Sequence, residues 1–356
     1  MPVCAVLSFR LGLTDGVSVV ADRWARALRE IGFDVYTVAG EGPVDVTVPG
    51  LAIEAPEPPA DEEVEKALVE ADLVVVENLL SIPANLDASR VVARVLRGRP
   101  ALLHHHDPPW QRPQHAHVTE LPPDDPEWVH VTINKLTERQ FVRRGLRAFT
   151  IYNGFDPDPP AGDRAATRSK LGVAEDELLA VHPVRPVPRK NVPAAISLAE
   201  VLGATYWVTG WPEEGYGETF ERLCAEARCR VVHEPWPQDA DLYAAADIVL
   251  FPSTWEGFGN PPVEAAAAGK MSVVGDYPVA GELRRLGFVW LRPDDVERIR
   301  RWLAEPDEVI IAHNREVVRR HLSLDVMRDR IAEVLALRGW FVSADRRSTT
   351  SIVFGP

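Results

Sequence analysis

Cysteine is scarce in this sequence, and no segment has the pattern of a secretion signal. Three cysteines occur in 356 residues, and none forms a Cys-x-x-Cys pair, so a disulfide framework and a structural zinc site have no support. The first residues lack a basic segment and run straight into a strand-like stretch, unlike a cleaved signal peptide. No apolar run is long enough to span a bilayer. We therefore expect a cytoplasmic protein.

Positive charge is also in short supply. The 39 lysines and arginines are outnumbered by 53 acidic residues, which gives a formal net charge of −14. Such a chain is repelled by nucleic acid and by anionic membranes, so we expect no nucleic-acid partner. Arginine clusters at 23–29 and 143–147 are interpreted as solvated helix faces, and peripheral membrane contact through them is the less favoured alternative. Any anionic ligand must therefore meet local cations.

Chain length and hydrophobic patterning predict two α/β domains. A chain of 356 residues exceeds what one core usually organises. Short apolar runs alternate with helical periodicity on both sides of a Pro- and Asp-rich stretch at 153–163, where prolines exclude a helix or a central strand. We predict Rossmann-like domains at 1–153 and 166–323, each with a parallel sheet. Between and after them come a linker at 154–165, a helix at 324–341 and a loose tail at 342–356.

Individual elements follow from the same patterns. The first helix is predicted to bury Val20, Trp24 and Leu28 and to leave Arg23 in solvent, with Thr14 or Asp15 as its N-cap. The Pro-rich stretch 108–126 is expected to be a long irregular loop. Strands are predicted at 4–9, 35–39, 73–77, 101–104, 178–182, 205–208, 230–233, 248–251, 271–274 and 288–291.

A glycine-rich loop follows the predicted strand 248–251 and leads into a helix. Ligands of open parallel sheets bind at the carboxyl ends of the strands, where this loop falls. Gly257 and Gly259 permit close approach of the backbone, and the prolines that follow suit a first helical turn whose N–H groups remain free. Glu256 and Glu264 offer two carboxylates that are able to bind separate hydroxyls of one ligand. The loop is therefore a candidate site for a polyhydroxylated anion.

The stretch DLYAAADIVLFPSTWEGFGNPPVEAAAAGKMSVV, at 241–274, resembles the signature of family 4 glycosyltransferases, the retaining glycosyl transferases of group 1 with an E-x7-E motif. The resemblance implies the GT-B fold, in which two facing Rossmann-like domains enclose a cleft and a C-terminal helix packs back on the first domain. It also implies metal-independent transfer of a hexose from a nucleotide-diphosphate sugar, such as a UDP- or GDP-hexose, with retained anomeric configuration. The acceptor would be a hydroxyl of a small polar molecule or a glycan. No cofactor is implied.

The resemblance assigns catalytic roles residue by residue. Arg185 and Lys190, in HPVRPVPRKN, match the two cations that hold the donor diphosphate, which suits a bidentate guanidinium and a point charge. Glu256 would orient the sugar, and Glu264 would bind the ribose. His106, in LLHHHDPPW, matches a histidine that contacts the donor sugar near the reacting carbon.

Further donor contacts are implied with weaker matches. Gly16, in RLGLTDGVS, occupies the place of the family's first glycine-rich loop, although a simple tight turn explains it equally well. His233 and Trp236 fall where the nucleotide base is usually held, with ordinary loop packing as the equal alternative. Asn260 departs from the family pattern, and its amide is suited to a hydrogen bond with the sugar or the diphosphate. The remaining donor-binding positions are Gly210, Gly257, Phe258 and Gly259.

Other functions stay open at this point. A catalytically degenerate nucleotide-sugar-binding partner protein would keep the same motifs, and a related GT-B epimerase or phosphorylase would use the same cleft. The fingerprint G-x-G-x-x-G is absent, which removes the main support for a dehydrogenase. The histidines at 104–106, with His115 and His117, suggest a metal site, but alternate strand residues face opposite ways. We therefore predict no metal.

Overall fold

The computed structural model describes residues 1–13, 15–115, 117–120, 122–237 and 239–340. Within them the chain forms two parallel sheets, one on each side of the Pro-rich segment after residue 153. Thr14, the predicted tail at 342–356 and the last residue of the predicted C-terminal helix lie outside the described residues.

The first sheet has seven parallel strands. In chain order they are β1 (Val3–Arg10), β2 (Asp34–Glu41), β3 (Val46–Thr47), β4 (Leu73–Glu77), β5 (Ala101–His105), β6 (Trp128–Thr132) and β7 (Ala148–Thr150), and their order across the sheet is β3-β2-β1-β4-β5-β6-β7. The helices that cover it are α1 (Gly16–Ile31), α2 (Asp61–Leu68), α3 (Leu86–Leu96) and α4 (Lys135–Arg143). Strands β4 and β5 are buried along their whole length, as expected for parallel strands with helices on both faces.

The second sheet has five parallel strands in the order β10-β9-β8-β11-β12. They are β8 (Leu179–His182), β9 (Thr205–Val208), β10 (Val231–His233), β11 (Ile248–Phe251) and β12 (Ser272–Val274). The helices of this domain are α5 (Arg164–Leu171), α6 (Val192–Leu202), α7 (Gly217–Glu226), α8 (Ala240–Ala245), α9 (Asn260–Ala267), α10 (Pro278–Leu286), α11 (Val296–Ala304) and α12 (Glu308–Leu322).

The last described helix, α13 (Leu324–Leu337), returns to the first domain. Its apolar residues Met327, Ile331 and Val334 share one core with Val20 and Trp24 of α1. The chain crosses over beside the linker, where the Phe155 N–H donates to the Leu322 carbonyl at 2.8 Å. The α/β class and the C-terminal helix that packs back on the first domain are thus confirmed.

Several local predictions need correction. Residues 288–291 were predicted as a strand but form only a single bridge, between Leu291 and Val273. The apolar pattern of this segment reflects core packing and not a strand. Phe288 and Trp290 stack in the core with ring centroids 4.7 Å apart. Helix α5 begins at Arg164, inside the predicted linker, with Asp163 as its N-cap. Strands β3, β6 and β7 were not predicted. Strands β3 and β7 have only two and three residues, and β6 is a buried strand with a histidine at its centre.

Asp15 lies between β1 and α1 and is the N-cap of α1. Its side chain accepts hydrogen bonds from the backbone of Val17 and Ser18.

None of the described helices is long and apolar enough to cross a membrane. The cytoplasmic location stays a prediction.

The buried histidine at the end of β8 predicts that acid destabilises the protein. His182 is fully buried and pairs with the Tyr206 hydroxyl at 2.8 Å. Burial, helped by the charge of Lys190, lowers the pKa of His182 to about 3. In the unfolded chain His182 takes up a proton near the ordinary histidine pKa, whereas in the folded chain it remains unprotonated until the pH is much lower. Stability is therefore expected to fall as pH drops below about 6.5, with a slope of up to about 1.4 kcal/mol per pH unit from this residue.

Urea unfolding at about pH 7.5 and about pH 5 measures this slope. We expect His182→Gln to have a shallower pH dependence than the wild type. Burial also lowers the pKa values of His104, His105 and His130, so the wild-type slope should exceed the contribution of His182 alone. Identical slopes for variant and wild type would show that His182 is not the group responsible.

Candidate active site

The predicted donor loop runs from the end of β11 to the start of α9 and faces the first domain. Gly259 precedes the helix with φ +94°, and a side chain there would come within 2.4 Å of the Tyr277 hydroxyl. A Cβ on Gly257 would lie 3.1 Å from the carbonyl oxygen of His106. The amide of Asn134 donates to the Gly257 carbonyl at 2.6 Å. These close approaches bring the loop against the carboxyl ends of the first sheet.

Lys190 and Glu256 form the central ion pair of the cleft. Lys190 Nζ lies 2.6 Å from Glu256 Oε1, and the Glu256 side chain is 8% exposed. Lys190 ends a short 3-10 turn after β8, so two separate strand ends supply the pair. Burial lowers the pKa of Lys190, and the carboxylate of Glu256 opposes that shift. Two of the predicted catalytic residues therefore meet directly.

Arg185 lies at the rim of the same strand end. Its guanidinium is 40% exposed and pairs with Glu213 at 2.7 Å, not with Glu256. The positive charge of Arg185 nevertheless acts on Lys190, as does that of Arg189. Arg189 lies 3.6 Å from Glu214, and its Nε and Nη1 atoms are buried without a hydrogen-bond partner among the described residues. The cleft thus has the local cations that an acidic chain needs for a phosphate.

Glu264 has both carboxylate oxygens engaged. Oε1 accepts from Arg23 Nη2 at 3.0 Å, and Oε2 accepts from the Tyr243 hydroxyl at 2.8 Å. Arg23 also donates to the Gly154 carbonyl at 3.0 Å and lies 4.7 Å from the centre of the Phe155 ring. The prediction that Arg23 is on a solvated face is therefore wrong, because the second domain covers that part of α1. The contact joins α1 to the helix that carries the second glutamate of the motif.

His106 is buried at the end of β5, directly beneath the donor loop. Its Nε2 atom lies 2.8 Å from Oε2 of Glu77, the last residue of β4. His104 Nδ1 lies 2.8 Å from the same oxygen. Asp107, the next residue after His106, pairs with Arg112 at 3.0 Å. The predicted His-Asp segment thus lies in the cleft with a partner that the sequence motif did not include.

Three side chains of metal-ligating type, Glu77, His104 and His106, lie together here. One ring nitrogen of each histidine lies 2.8 Å from the same carboxylate oxygen. We interpret the group as a hydrogen-bonded cluster, because these distances are those of hydrogen bonds between the rings and the carboxylate. His105 faces the other way and pairs with His130 at 2.9 Å, as strand alternation requires.

Asn260 and Phe258 have roles at the domain interface. Asn260 Oδ1 accepts a hydrogen bond from Asn153 Nδ2 at 2.9 Å, which joins the first turn of α9 to the end of the first domain. Phe258 is buried and packs on Phe155 and Tyr152, with ring centroids 6.0 and 6.1 Å apart. Its ring is covered by protein, so only its main chain is left for a donor contact. The departure of Asn260 from the family pattern has an interdomain explanation.

Loss of this amide pair should weaken the domain interface. Asn153 is buried, so Asn260→Ala leaves its amide donor unpaired and should cost about 1–3 kcal/mol of unfolding free energy. Asn260→Asp keeps the acceptor and should cost less than half as much. In a double-mutant cycle with Asn153→Ala, the two losses should not add. Full additivity in urea unfolding would show that the two amides act independently.

The glycines and the predicted base-binding residues are placed as follows. Gly16 is the first residue of α1, with open space beside it, and Gly210 follows β9 against the backbone of Arg185. His233 lies between Trp211 and Phe220, with its Nε2 3.0 Å from the Gly210 carbonyl.

Trp236 lies on the opposite face of the second sheet. It packs on Trp207 and under Lys170. The structure therefore does not bring His233 and Trp236 onto one surface. Trp211 is 65% exposed beside His233 and was not predicted as a site residue. Its ring is the open aromatic surface next to His233.

Sequence reasoning missed the partners that complete the site. Arg23 and Glu264 are separated by 241 positions, so no local pattern signals their contact. Glu77 did give a signal, because it is a charged residue that ends the apolar strand Leu73–Glu77. A buried carboxylate at the carboxyl end of a parallel strand lies where ligands bind in open α/β sheets.

Comparison with known proteins agrees with this geometry. Residues 163–308 match the sequence profile of the family described as Glycosyl transferases group 1. Mannosylglucosylglycerate synthase from Thermotoga maritima is 26% identical over 419 residues, which covers 91% of this chain and 97% of that protein.

Two solved structures are similar over nearly the whole chain. Anabaena HepE in complex with UDP-glucose has a TM-score of 0.71 at 20% identity and covers 94% of this chain and 99% of that one. Sucrose-phosphate synthase from Thermosynechococcus elongatus has a TM-score of 0.70 at 16% identity and covers 95% of this chain and 99% of that one. The second domain of this chain thus matches the glycosyl transferases group 1 family, and the two domains together have the GT-B fold.

Proposed function

We propose that this chain is a retaining hexosyltransferase of family 4, which moves a hexose from a nucleotide-diphosphate sugar to a hydroxyl acceptor without a metal. The observation that carries the proposal is the convergence of Lys190 and Glu256 with His106 in one cleft. A cation and a carboxylate from two strand ends meet at the glycine-rich loop, and the main chain of His106, from a third strand end, lies against Gly257 of that loop. This set suits a ligand with both phosphate and sugar groups.

The cations stabilise the leaving group. Departure of a nucleoside diphosphate leaves negative charge on its phosphates, and fixed positive groups that meet that charge lower the barrier. Lys190 lies in the cleft. Arg185 and Arg189 are on the same loop, and their positive charges help to lower the pKa of Lys190. Together these groups can serve without a divalent cation.

Glu256 orients the sugar and does not attack it. Its Oε1 atom is held by Lys190, so the carboxylate is neutralised and directed by a neighbour. In the proposed retaining reaction the acceptor hydroxyl approaches from the leaving-group face, and a donor phosphate oxygen takes its proton. No protein nucleophile is then required. The two-carboxylate scheme of glycoside hydrolases therefore does not apply to Glu256 and Glu264.

Glu264 binds the ribose, and the base lies toward Trp211. The two Glu264 oxygens are suited to neighbouring ribose hydroxyls, which would share them with Arg23 and Tyr243. Burial and the Glu264 carboxylate raise the pKa of Tyr243, so its hydroxyl remains a donor. An exposed indole offers a flat surface for stacking. HepE, crystallised with UDP-glucose, makes a UDP-sugar one candidate donor.

The acceptor is proposed to be a small polar hydroxyl compound. A relative that aligns along nearly its whole length is named mannosylglucosylglycerate synthase. The formal charge of −14 also suits a small polar acceptor better than an anionic membrane lipid.

The test is a panel of UDP-, GDP- and ADP-sugars, with release of the nucleoside diphosphate measured in the presence and absence of candidate acceptors. We expect acceptor-dependent release, and the coupling constant of the anomeric proton in the product should show the configuration of the donor. Glu297→Gln, an exposed change on α11, serves as the matched control for active-site glutamate variants.

Three outcomes would change the assignment. No thermal shift with any nucleotide would contradict donor binding altogether. A shift without turnover would favour a catalytically degenerate binding protein. An inverted product would overturn the retaining mechanism while leaving the glycosyltransferase assignment in place.

A further inference from the structure

We propose that Glu77 is a positioning residue of this active site: it holds the His106 imidazole with a proton on Nε2, so that Nδ1 accepts a hydrogen bond from a hydroxyl of the donor sugar. The role of His106 toward the sugar rests on the proposed function. The position of the proton on its ring does not depend on that function, and this position can be measured separately.

The sheet register places the three side chains together. Strands β4 and β5 are parallel, and Glu77 pairs with His104 across them. His106 follows His104 by two positions and therefore lies on the same side of the chain. The ring centroids of the two histidines are 4.5 Å apart with an edge-on orientation. Among the described residues, Glu77 is the one carboxylate at hydrogen-bond distance from both rings.

Proton positions follow from the charge of Glu77. Burial disfavours the carboxylate, but its contacts with His104 Nδ1 and His106 Nε2, at 2.8 Å each, outweigh burial and lower the pKa of Glu77. An ionised carboxylate only accepts hydrogen bonds, so both nearby ring nitrogens must be donors. A neutral imidazole has one donor and one acceptor nitrogen. Protonated Nε2 thus leaves Nδ1 of His106 as the acceptor.

The backbone of His106 is held independently of its ring. Asn78 has φ 60°, a conformation that asparagine tolerates better than most residues. Its Oδ1 atom accepts from the N–H groups of His106 and Asp107, at 3.1 Å each. Glu77 and Asn78 are adjacent, so one strand end controls both the main chain and the ring of the segment. The main chain and the Nε2 atom of His106 are thus both held by residues at the end of β4.

Stability alone does not explain Glu77. Its side chain is fully buried, and Oε1 has no hydrogen-bond partner among the described residues. A buried carboxylate with one unpaired oxygen is less favourable than an apolar side chain of similar volume. Every other residue of β4 is apolar. The carboxylate is therefore better explained by its effect on His106.

The acceptor nitrogen of His106 has no competing protein partner. No hydrogen bond from the described residues reaches His106 Nδ1, and this atom is not among the buried unpaired atoms. The main chain of His106 lies against Gly257 of the donor loop. Nδ1 is thus left for a ligand at the place where the sugar is proposed to bind.

The tautomer is tested first on the wild-type protein. Long-range proton–nitrogen NMR of protein labelled with 15N-histidine should show His106 protonated at Nε2 and unprotonated at Nδ1 near neutral pH. The signal is assigned by its loss in His106→Gln. A proton on Nδ1, or on both nitrogens, would overturn the proposal. This result does not depend on turnover, so it separates a failure here from a failure of the proposed function.

Kinetics then test the effect on the reaction. Glu77→Gln has the same shape but offers one acceptor and one donor, so it no longer selects a single tautomer. We expect kcat to fall roughly 10–100-fold, as for a misplaced contact group, with KM for the nucleotide sugar changed by less than about 3-fold. A larger change in KM than in kcat would contradict positioning at the reacting sugar.

His104→Phe is the matched control. It removes the other hydrogen bond of Glu77 and keeps a ring to pack against Trp24, whose centroid lies 4.2 Å from that of His104. The bond to His106 remains, so kcat should stay within about 3-fold of wild type. An equal loss in His104→Phe and Glu77→Gln would show that the cluster is only structural. If Glu77→Gln does not fold, the wild-type tautomer still decides.

Discussion

Lys190→Met is expected to lower kcat/KM for the nucleotide sugar by roughly 10²–10³-fold, equivalent to about 2.7–4 kcal/mol of transition-state stabilisation. The reason is that Lys190 is the cation paired with Glu256 in the cleft, where it is proposed to meet charge on the departing diphosphate. Methionine keeps the length and apolar stem of the side chain and removes only the charge. Initial rates over a range of donor concentrations measure the effect.

The same substitution leaves Glu256 buried without its ion-pair partner, which by itself destabilises the fold. The double variant Lys190→Met with Glu256→Gln removes that charge and should recover thermal stability without recovering activity. Lys66→Met, on the exposed face of α2, is the control and should leave both quantities unchanged. If the double variant regained the wild-type rate, the loss in Lys190→Met would be a folding effect and the phosphate role would be wrong.

Glu264→Ala is expected to raise the Kd of the nucleoside diphosphate roughly 10–100-fold, because the ribose hydroxyls lose the charged acceptor to which they donate. Glu256→Ala should instead leave this Kd within about 3-fold of wild type and reduce kcat, since its partner is the sugar. Isothermal titration with UDP or GDP, whichever binds, separates the two carboxylates. Equal effects of both variants on nucleotide affinity would contradict the division of roles along the motif.

Removal of Glu264 also releases Arg23 and Tyr243, so a control for the interface is needed. Arg23→Met breaks the ion pair at 3.0 Å and the contact with the linker but keeps the carboxylate. It should reduce thermal stability and leave the Kd within about 3-fold of wild type. If Arg23→Met weakened nucleotide binding as much as Glu264→Ala, the glutamate would act through domain closure and not through the ribose.

The donor loop was the part of the site most open to prediction. Its strand, glycines and first helical turn are consecutive in the chain, and each has a local conformational cause. The spacing of Arg185 and Lys190 after a buried strand is likewise a local feature of the sequence. The structure places Lys190 and Glu256 together and leaves Arg185 at the rim, paired with Glu213. A motif gives the identity of such groups but not their partners in the folded protein.

The base-binding region shows the opposite situation. His233 and Trp236 are three positions apart, but they pack on opposite faces of the second sheet. Trp211, on another strand end, is the exposed aromatic residue beside His233. Proximity in the sequence was a poor guide here, because the turn after a strand end can direct neighbouring side chains to either face.

The sequence by itself determined the α/β class, the division into two parallel sheets and the place of the glycine-rich donor loop. These features depend on hydrophobic periodicity and backbone preferences, which act over a few residues. Only the tertiary structure decided that Arg23 lies on Glu264, that Glu77 holds His106, and that Asn260 pairs with Asn153. Each of these contacts joins separate strands, helices or domains. They arise because the sheet register and the approach of the two domains bring distant residues within hydrogen-bond distance, and no local pattern specifies that geometry.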